Sequence, residues 1–229
     1  MQLYNIRGGN KQELLQKKYQ IGVGISLGNK WFTIENINSL IKWSLSYSKD
    51  KVIVYVADSI HAINIEVRNR TSKEKSQAKA DMLGSDILEK VKKSLTLILT
   101  KEEIGRLVFA NWKDIIDKNY IIKTNYLYKK YKEDVDFSKD IHNLVKNFTS
   151  HEGKAFSDTE IDRMGDYIIE EMTECLCRVQ ISGYKCDAYA YPYDGELPKF
   201  IEEVQMGITY PEIKENIIDT ENKVFLEVR

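Results

Sequence analysis

Between Gln20 and Ala57 the chain reads QIGVGISLGNKWFTIENINSLIKWSLSYSKDKVIVYVA, and this stretch decides the fold. Gln20 to Leu27 is a short apolar run closing on a glycine-rich turn at Gly28-Asn29, the pattern of a buried strand. From Ile34 the apolar residues Ile34, Ile37, Ile41 and Leu45 follow the helical period. Lys51 to Ala57 is β-branched and short, bounded by Lys49-Asp50 and Asp58, which predicts a second buried strand. Strand, helix, strand within about forty residues is a βαβ unit. The expectation is an α/β fold with a Rossmann-type parallel sheet flanked by helices.

Further along, a long helical pattern covers Ser72 to Leu99, interrupted only by Gly84. Other helical patterns cover Trp112 to Tyr131, Asp134 to Phe148 and Asp158 to Cys175. Cys177 to Tyr193 is aromatic and β-branched and should return to the sheet, and Met206 to Val228 reads as a terminal pair of short strands. The only prolines are Pro192, Pro198 and Pro211, and no repeat or low-complexity tract divides the chain, so residues 1–229 read as one domain.

Composition narrows the classes. The chain has 229 residues, 42% of them hydrophobic, enough for one substantial core. Mean hydropathy is −0.43 and no run approaches the roughly eighteen apolar residues of a membrane span. The polar segment Met1 to Gln20 lacks the apolar centre of a secretory signal, so a cytoplasmic location is expected. Cys175, Cys177 and Cys186 are odd in number and clustered, and read as reduced thiols. Cys175-Leu-Cys177 lacks zinc-knuckle spacing and His61, His142 and His151 are distant, so no metal is expected. A net charge of −1 by itself points to no nucleic-acid partner.

The turn Gly22-Val-Gly24-Ile-Ser26-Leu-Gly28-Asn29 admits several readings. A dinucleotide fingerprint needs Gly-x-Gly-x-x-Gly; Leu27 stands where its third glycine belongs, although Asp58 could supply the acid of the second strand. Gly24-Ile-Ser26-Leu-Gly28 fits the Gly-x-Ser-x-Gly nucleophile elbow. That elbow needs an oxyanion loop from an earlier strand, and only 25 residues precede Ser26. A third reading is a tight βα turn whose serine and glycines serve backbone geometry alone.

A second constellation lies far downstream. Tyr167 and Glu171 are four residues apart in a helical pattern and so share a face, where a phenol and a carboxylate can handle protons if that face lines a pocket. Twenty residues after Glu171 comes Tyr191-Pro192, inside the aromatic cluster Tyr189 to Tyr193. The Gly24-Ile-Ser26 turn, the Tyr-x-x-x-Glu helix and the Tyr-Pro pair, in this order and spacing, resemble the cyclodipeptide synthase family over nearly the whole chain, and Pro192 resembles its Tyr-Pro subfamily. The resemblance implies a fold like the catalytic domain of class I aminoacyl-tRNA synthetases and an aminoacyltransferase that builds diketopiperazines. It implies two aminoacyl-tRNAs as substrates, no cofactor, no membrane and no obligate protein partner.

Carried over by position, Ser26 is the nucleophile that accepts the first aminoacyl group. Tyr167 and Glu171 hold its amine, Glu171 takes part in proton transfer, and Tyr191 assists the cyclisation. Gly24, Asn29 and Pro192 line the substrate site. Lys90, Lys92 and Lys93 on the long helix supply the tRNA surface, in preference to Lys129, Lys130 and Lys132 among their tyrosines. The chain departs from the family in three ways. Thr173 replaces the proline usual after the helix motif, and Asn29 belongs with the histidine-bearing subfamily. A shorter match at Tyr193, Glu196 and Pro198 would move the Tyr-Pro pair to Tyr210-Pro211 and spoil the spacing to Ser26. The alternatives are a non-catalytic Rossmann-like nucleotide- or RNA-binding module and a serine hydrolase.

Overall fold

The computed structural model describes residues 1–177, 180–193, 195–217 and 223–229. Its first elements are β1 (Leu3–Arg7), α1 (Lys11–Leu15), β2 (Ile21–Ile25), α2 (Ile34–Tyr47), β3 (Val52–Val56), α3 (Asp58–Asn69) and α4 (Lys73–Leu95). Then come α5 (Lys101–Gly105), β4 (Leu107–Asn111), a 3₁₀ turn at Trp112–Ile115, α6 (Lys118–Glu133), α7 (Val135–Thr149) and α8 (Asp158–Cys177). The chain finishes with β5 (Gln180–Ile181), β6 (Tyr184–Lys185), β7 (Ala188–Tyr191), α9 (Glu196–Met206), α10 (Pro211–Ile217) and β8 (Val224–Val228).

The main sheet has strand order β1-β8-β7-β2-β3-β4, parallel throughout except for the β1–β8 edge pair. From β2 the chain builds outward through β3 to β4, then returns to the opposite side of β2 to add β7 and β8. The order therefore reverses between β2 and β7. In open parallel sheets the crevice outside the carboxyl ends of the strands at such a reversal is where ligands bind.

Period-two alternation sorts the strands' side chains onto two cores. Ile21, Val23, Ile25, Val52, Val54, Val56, Ala188 and Ala190 face α2 and α4. Ile53, Tyr55 and Tyr189 face the layer that includes α6, α7 and α8. Gly84, the one glycine of α4, has a packing cause: a Cβ there would strike the Asp58 side chain at the start of α3. Asp58 in turn accepts from Asn111 Nδ2 and, at 3.0 Å, from the Trp112 backbone N–H. It locks the ends of β3 and β4 together and is spent as a ribose-binding acid.

Several boundaries differ from the sequence reading. Cys177 ends α8 rather than opening a strand, β5 and β6 pair only with each other, and the sheet resumes at Ala188. Residues 178–179 of that segment lie outside the described residues. The expected terminal strand pair is one strand, β8; Pro211 instead opens a helix, the first-turn position where its missing N–H costs nothing. Residues 218–222 of the same stretch lie outside the described residues. The helix expected from Trp112 begins at Lys118, after a 3₁₀ turn. The elements β1, α3, β4 and α9 carry weaker patterns and were not expected.

Candidate active site

Ser26 is the first residue past β2, at the carboxyl edge of the sheet where the strand order reverses. Gly28, two residues on, has φ +81°, a left-handed turn that a side chain would strain. Within β2, Gly22 and Gly24 alternate with buried Ile21, Val23 and Ile25, so the glycines share the face toward α8. Flanking strands lay their aromatics over that bare backbone. A Cβ at Gly24 would collide with the Tyr189 ring, and one at Gly22 would meet Cys186 Sγ and the Tyr55 ring.

Tyr167 and Glu171 reach the same place from α8. The buried Tyr167 hydroxyl shares hydrogen bonds with Ser26 and Glu171, donating to the carboxylate. Tyr191, the last residue of β7, shares hydrogen bonds with Ser26 and with the Asn29 side chain. Asn29 Oδ1 also accepts the Trp31 backbone N–H at 3.0 Å, which holds the turn after Ser26. Side chains from the end of β2, from α8 and from β7 thus converge on one cavity, with Ser26 next to Tyr167 and Tyr191 and Glu171 next to Tyr167.

Their surroundings set their protonation. Burial pushes the Glu171 carboxyl up to about 7, Glu174 adds to the rise, and the Tyr167 hydrogen bond opposes it. Burial, then Glu171 and Tyr191, hold the Tyr167 phenol well above its ordinary range, against the bond to Ser26. Burial and Glu171 likewise raise Tyr191. A phenol so disfavoured as an anion stays neutral and can donate a hydrogen bond.

The site opens into a cavity of about 930 Å³ lined by Ser26, Asn29, Tyr167, Glu171, Tyr189 and Tyr191 among others. Gly24 and Pro192 are not on its lining: Gly24 lies under Tyr189, and Pro192 is buried. Glu196 and Pro198 of the shorter motif match do line it, whereas Tyr210 is bound to Asp140 at 2.8 Å, away from Ser26.

The far wall comes from residues without a sequence signal. His61 and Arg68 of α3, Lys79 of α4 and Phe148 of α7 all line the cavity. His61 packs over Gly28, and burial together with Arg68 and Lys79 lowers its imidazole to about 4, so it is neutral at pH 7. Phe148 stacks on Tyr167 with centroids 6.1 Å apart, and the Arg68 guanidinium, clasped by Glu152, sits 5.2 Å from the Phe148 ring centre.

The expected tRNA lysines are exposed at the opposite end of α4 from Lys79. Lys90 pairs with Asp86 at 2.7 Å and Lys92 lies over the Phe109 ring, 5.0 Å from its centre. In the other cluster, Lys130 is bound by Asp134 and Glu212, and Lys129 by Glu133, so these serve local pairing. All three cysteines are buried thiols, none of them joined in a disulfide. Among the described residues, no group of three or more His, Cys, Asp or Glu side chains is placed to hold a metal ion, and no helix is long and apolar enough to cross a membrane.

Comparison with known proteins places this geometry. A family model described as cyclodipeptide synthase matches residues 7–209. No curated protein sequence matches the chain. The structure of a CDPS from Fluoribacter dumoffii is similar, with TM-score 0.71 and 21% identity, covering 97% of this chain and 96% of that one. A Mycobacterium tuberculosis protein matches with TM-score 0.70 and 19% identity, over 96% of this chain and 90% of its own. Its structure is described as demonstrating that cyclodipeptide synthetases are related to type I tRNA synthetases. A cyclodipeptide synthase from Candidatus Glomeribacter gigasporarum, described as bound to Phe-tRNAPhe, matches with TM-score 0.57 and 16% identity, over 92% of this chain and 88% of its own.

Proposed function

The chain belongs to the cyclodipeptide synthase family, and from that premise we propose that it joins two aminoacyl groups, taken from two aminoacyl-tRNAs, through an ester on Ser26. The observation that carries this reading is the convergence of Ser26, Tyr167, Glu171 and Tyr191 at one cavity. A structural relative described as bound to Phe-tRNAPhe supports the choice of substrate.

An aminoacyl-tRNA is already an activated ester, so the chemistry needs placement and proton transfer more than driving force. Ser26 Oγ attacks the ester carbonyl, the bond to the tRNA ribose oxygen breaks, and the serine proton ends on that oxygen. The aminoacyl group now rests on Ser26 with its amine toward Tyr167 and Glu171. Glu171 takes the ammonium proton, and the freed amine attacks the ester carbonyl of a second aminoacyl-tRNA, releasing the second tRNA. This leaves a dipeptidyl ester on Ser26. Its terminal amine attacks that ester, the cyclic dipeptide leaves, and Tyr191 relays the proton back to Ser26 Oγ. Holding amine and carbonyl together in a closed site supplies much of the rate.

Pro192 after Tyr191 supports membership of the Tyr-Pro subfamily, and the interaction of Asn29 with Tyr191 supports a role for Asn29 in orienting the relay phenol. Lys90, Lys92 and Lys93 receive the tRNA backbone. The test is incubation with a mixture of charged tRNAs and mass spectrometry for cyclic dipeptides. Product from the wild type and none from Ser26→Ala is the expected result. Product persisting in Ser26→Ala overturns the aminoacyl-enzyme.

A further inference from the structure

Two ionisable side chains that this chemistry does not use lie directly behind Glu171. Glu174 of α8 is 2% exposed and Lys223, just before β8, is 1% exposed, and they form an ion pair. The Tyr55 hydroxyl of β3 donates to the same carboxylate at 2.9 Å, and the Cys175 thiol donates at 3.3 Å. Lys223 Nζ also lies 5.4 Å from the centre of the Tyr189 ring, whose hydroxyl end covers Gly24. The pair thus ties the last turn of α8 to β3, β7 and β8.

Stability is a poor reason for such a pair. Desolvating two charges costs several kcal/mol per ion, and apolar replacements of similar volume are often as stable or more so. Its position gives a better reason. Glu171 and Glu174 are three residues apart, neighbours on the helix surface. Two carboxylates this close in a dry environment compete for charge, and one of them keeps a proton. The Lys223 ammonium stands against only one of the two, in its ion pair with Glu174. Burial works against that ammonium, but Glu174 outweighs it and holds Lys223 above its ordinary range.

The other groups around Glu171 are Tyr167 and Cys175 on its own helix, Ser26 after β2, and Tyr189 and Tyr191 on β7. Across the cavity stand His61 and Arg68 of α3, Lys79 of α4 and Glu196 of α9. Arg68 is engaged by Glu152, and His61 is neutral. After burial, the charge that acts on Glu171 is that of Glu174.

We propose that the Glu174–Lys223 ion pair is a positioning device for Glu171, holding a second carboxylate behind it so that Glu171 works as a base matched to a substrate amine. This rests on the reading of Glu171 as the proton acceptor of the transferase. An α-amino group titrates near 8, so a carboxyl at its ordinary value of about 4 would draw the proton from it poorly.

The test separates the coupling from the activity. The full chain is labelled with glutamate carrying ¹³C at the side-chain carboxyl and titrated by NMR without tRNA; the Glu171 resonance is the one absent from Glu171→Gln. The double variant Glu174→Leu, Lys223→Met removes both charges and leaves neither stranded. Its Glu171 midpoint is expected to fall by about one pH unit, the usual scale of such environmental shifts. Glu174→Gln, which leaves the Lys223 ammonium facing Glu171, is expected to lower it further; if that variant does not fold, the double variant decides. An unchanged midpoint in the double variant overturns the proposal. With charged tRNA, the acid limb of the pH–rate profile of the double variant is expected to move down with the resonance. A rate lowered equally at every pH means a purely structural role and also overturns it. A midpoint that moves as expected in a chain that makes no cyclic dipeptide supports the coupling and overturns the transferase reading instead.

Discussion

Tyr167 of α8 and Ser26 after β2 share a hydrogen bond, and the same phenol donates onward to Glu171 one turn along the helix. One oxygen therefore connects a serine with a carboxyl that its surroundings hold up to about 7. This explains how a serine can be served without an imidazole at its side: the neighbouring hydroxyls are neutral phenols, and the group able to take a proton near neutral pH stands one bond further away. The arrangement suits a reaction in which the proton to be removed sits on an amine.

Removing the Ser26 hydroxyl tests the covalent step directly. Ser26→Ala is expected to abolish both the acid-stable aminoacyl adduct, seen as a mass increase on the intact protein, and the cyclic product. A loss of less than about a hundredfold would place the chemistry elsewhere, since removing a covalent nucleophile costs orders of magnitude more. The half-buried serine lies beside phenols that can bond to each other or to water, so the fold should tolerate the change.

Tyr167→Phe keeps the ring that stacks on Phe148 and deletes only the bridging oxygen. The expected cost is roughly 10- to 100-fold in turnover, with a stability change on the order of 1 kcal/mol, the scale of a single hydrogen bond. Thermal unfolding and initial rates on the same samples check it. A large fall in stability with an unchanged rate would make Tyr167 a structural residue.

The raised Glu171 carboxyl fixes two pH trends of known sign. As a base it must be ionised, so turnover is expected to climb with pH through about 7 and then level. Folding follows the opposite direction. A carboxyl raised from 4.5 to about 7 in the fold favours the folded state while protonated, and that advantage is lost as pH rises through this window. Glu171→Gln removes the loss, so this variant should be more stable than wild type at pH 8, by on the order of 3 kcal/mol. The difference should vanish below about pH 4. Denaturant melts at pH 4 and pH 8 decide this, and equal stability at both pH values would mean that Glu171 is solvated.

The βαβ opening was legible because Val52–Val56 and Ile21–Ile25 bury both faces and so read as continuous apolar runs. Tyr167 and Glu171 were legible as a pair because helical spacing fixes which residues share a face. What the pattern could not carry was anything assembled across elements. His61, Arg68, Lys79 and Phe148 reach the cavity from α3, α4 and α7, and no local spacing announces that they meet. Glu174 and Lys223 are 49 positions apart, and each alone looks like a surface charge. The strand expected near the C-terminus failed for a local reason: Pro211 reads as a breaker, yet it is a good first residue for a helix.

The glycines of β2 offer a check on the site that does not depend on its chemistry. Gly24→Ala places a methyl group against the Tyr189 ring, which is stacked 5.5 Å from Tyr191. Tyr189 cannot retreat freely, because Phe225 of the adjacent β8 and Tyr55 of β3 pack on it. The expected result is a loss of about 1 to 3 kcal/mol from overpacking, together with a fall in turnover as Tyr191 is pushed away from Ser26. Gly24→Ala combined with Tyr189→Leu should recover most of the stability, because the smaller side chain vacates the collision. Failure of the second substitution to restore stability would mean that the strand backbone, not the ring, sets the requirement for glycine.

The lysines of α4 give the last test, and it is a test of direction along the helix. Lys79 lines the cavity, and Lys90 lies eleven residues on, about 16 Å at 1.5 Å per residue. An acceptor end seated at Ser26 would pass Lys79 first and then run along the exposed face toward Lys92 and Lys93. Replacing Lys90, Lys92 and Lys93 with Gln should weaken tRNA binding and flatten the dependence of log affinity on log salt, by roughly 0.7 to 0.9 for each phosphate that is no longer neutralised. Lys90 is already bound to Asp86, so the flattening should be nearer that of two lysines than of three. Turnover at saturating tRNA should be preserved, because none of the three reaches the cavity. An unchanged salt slope would remove the distal lysines from the binding surface and leave Lys79 and Arg68, at the cavity itself, as the cations to test next.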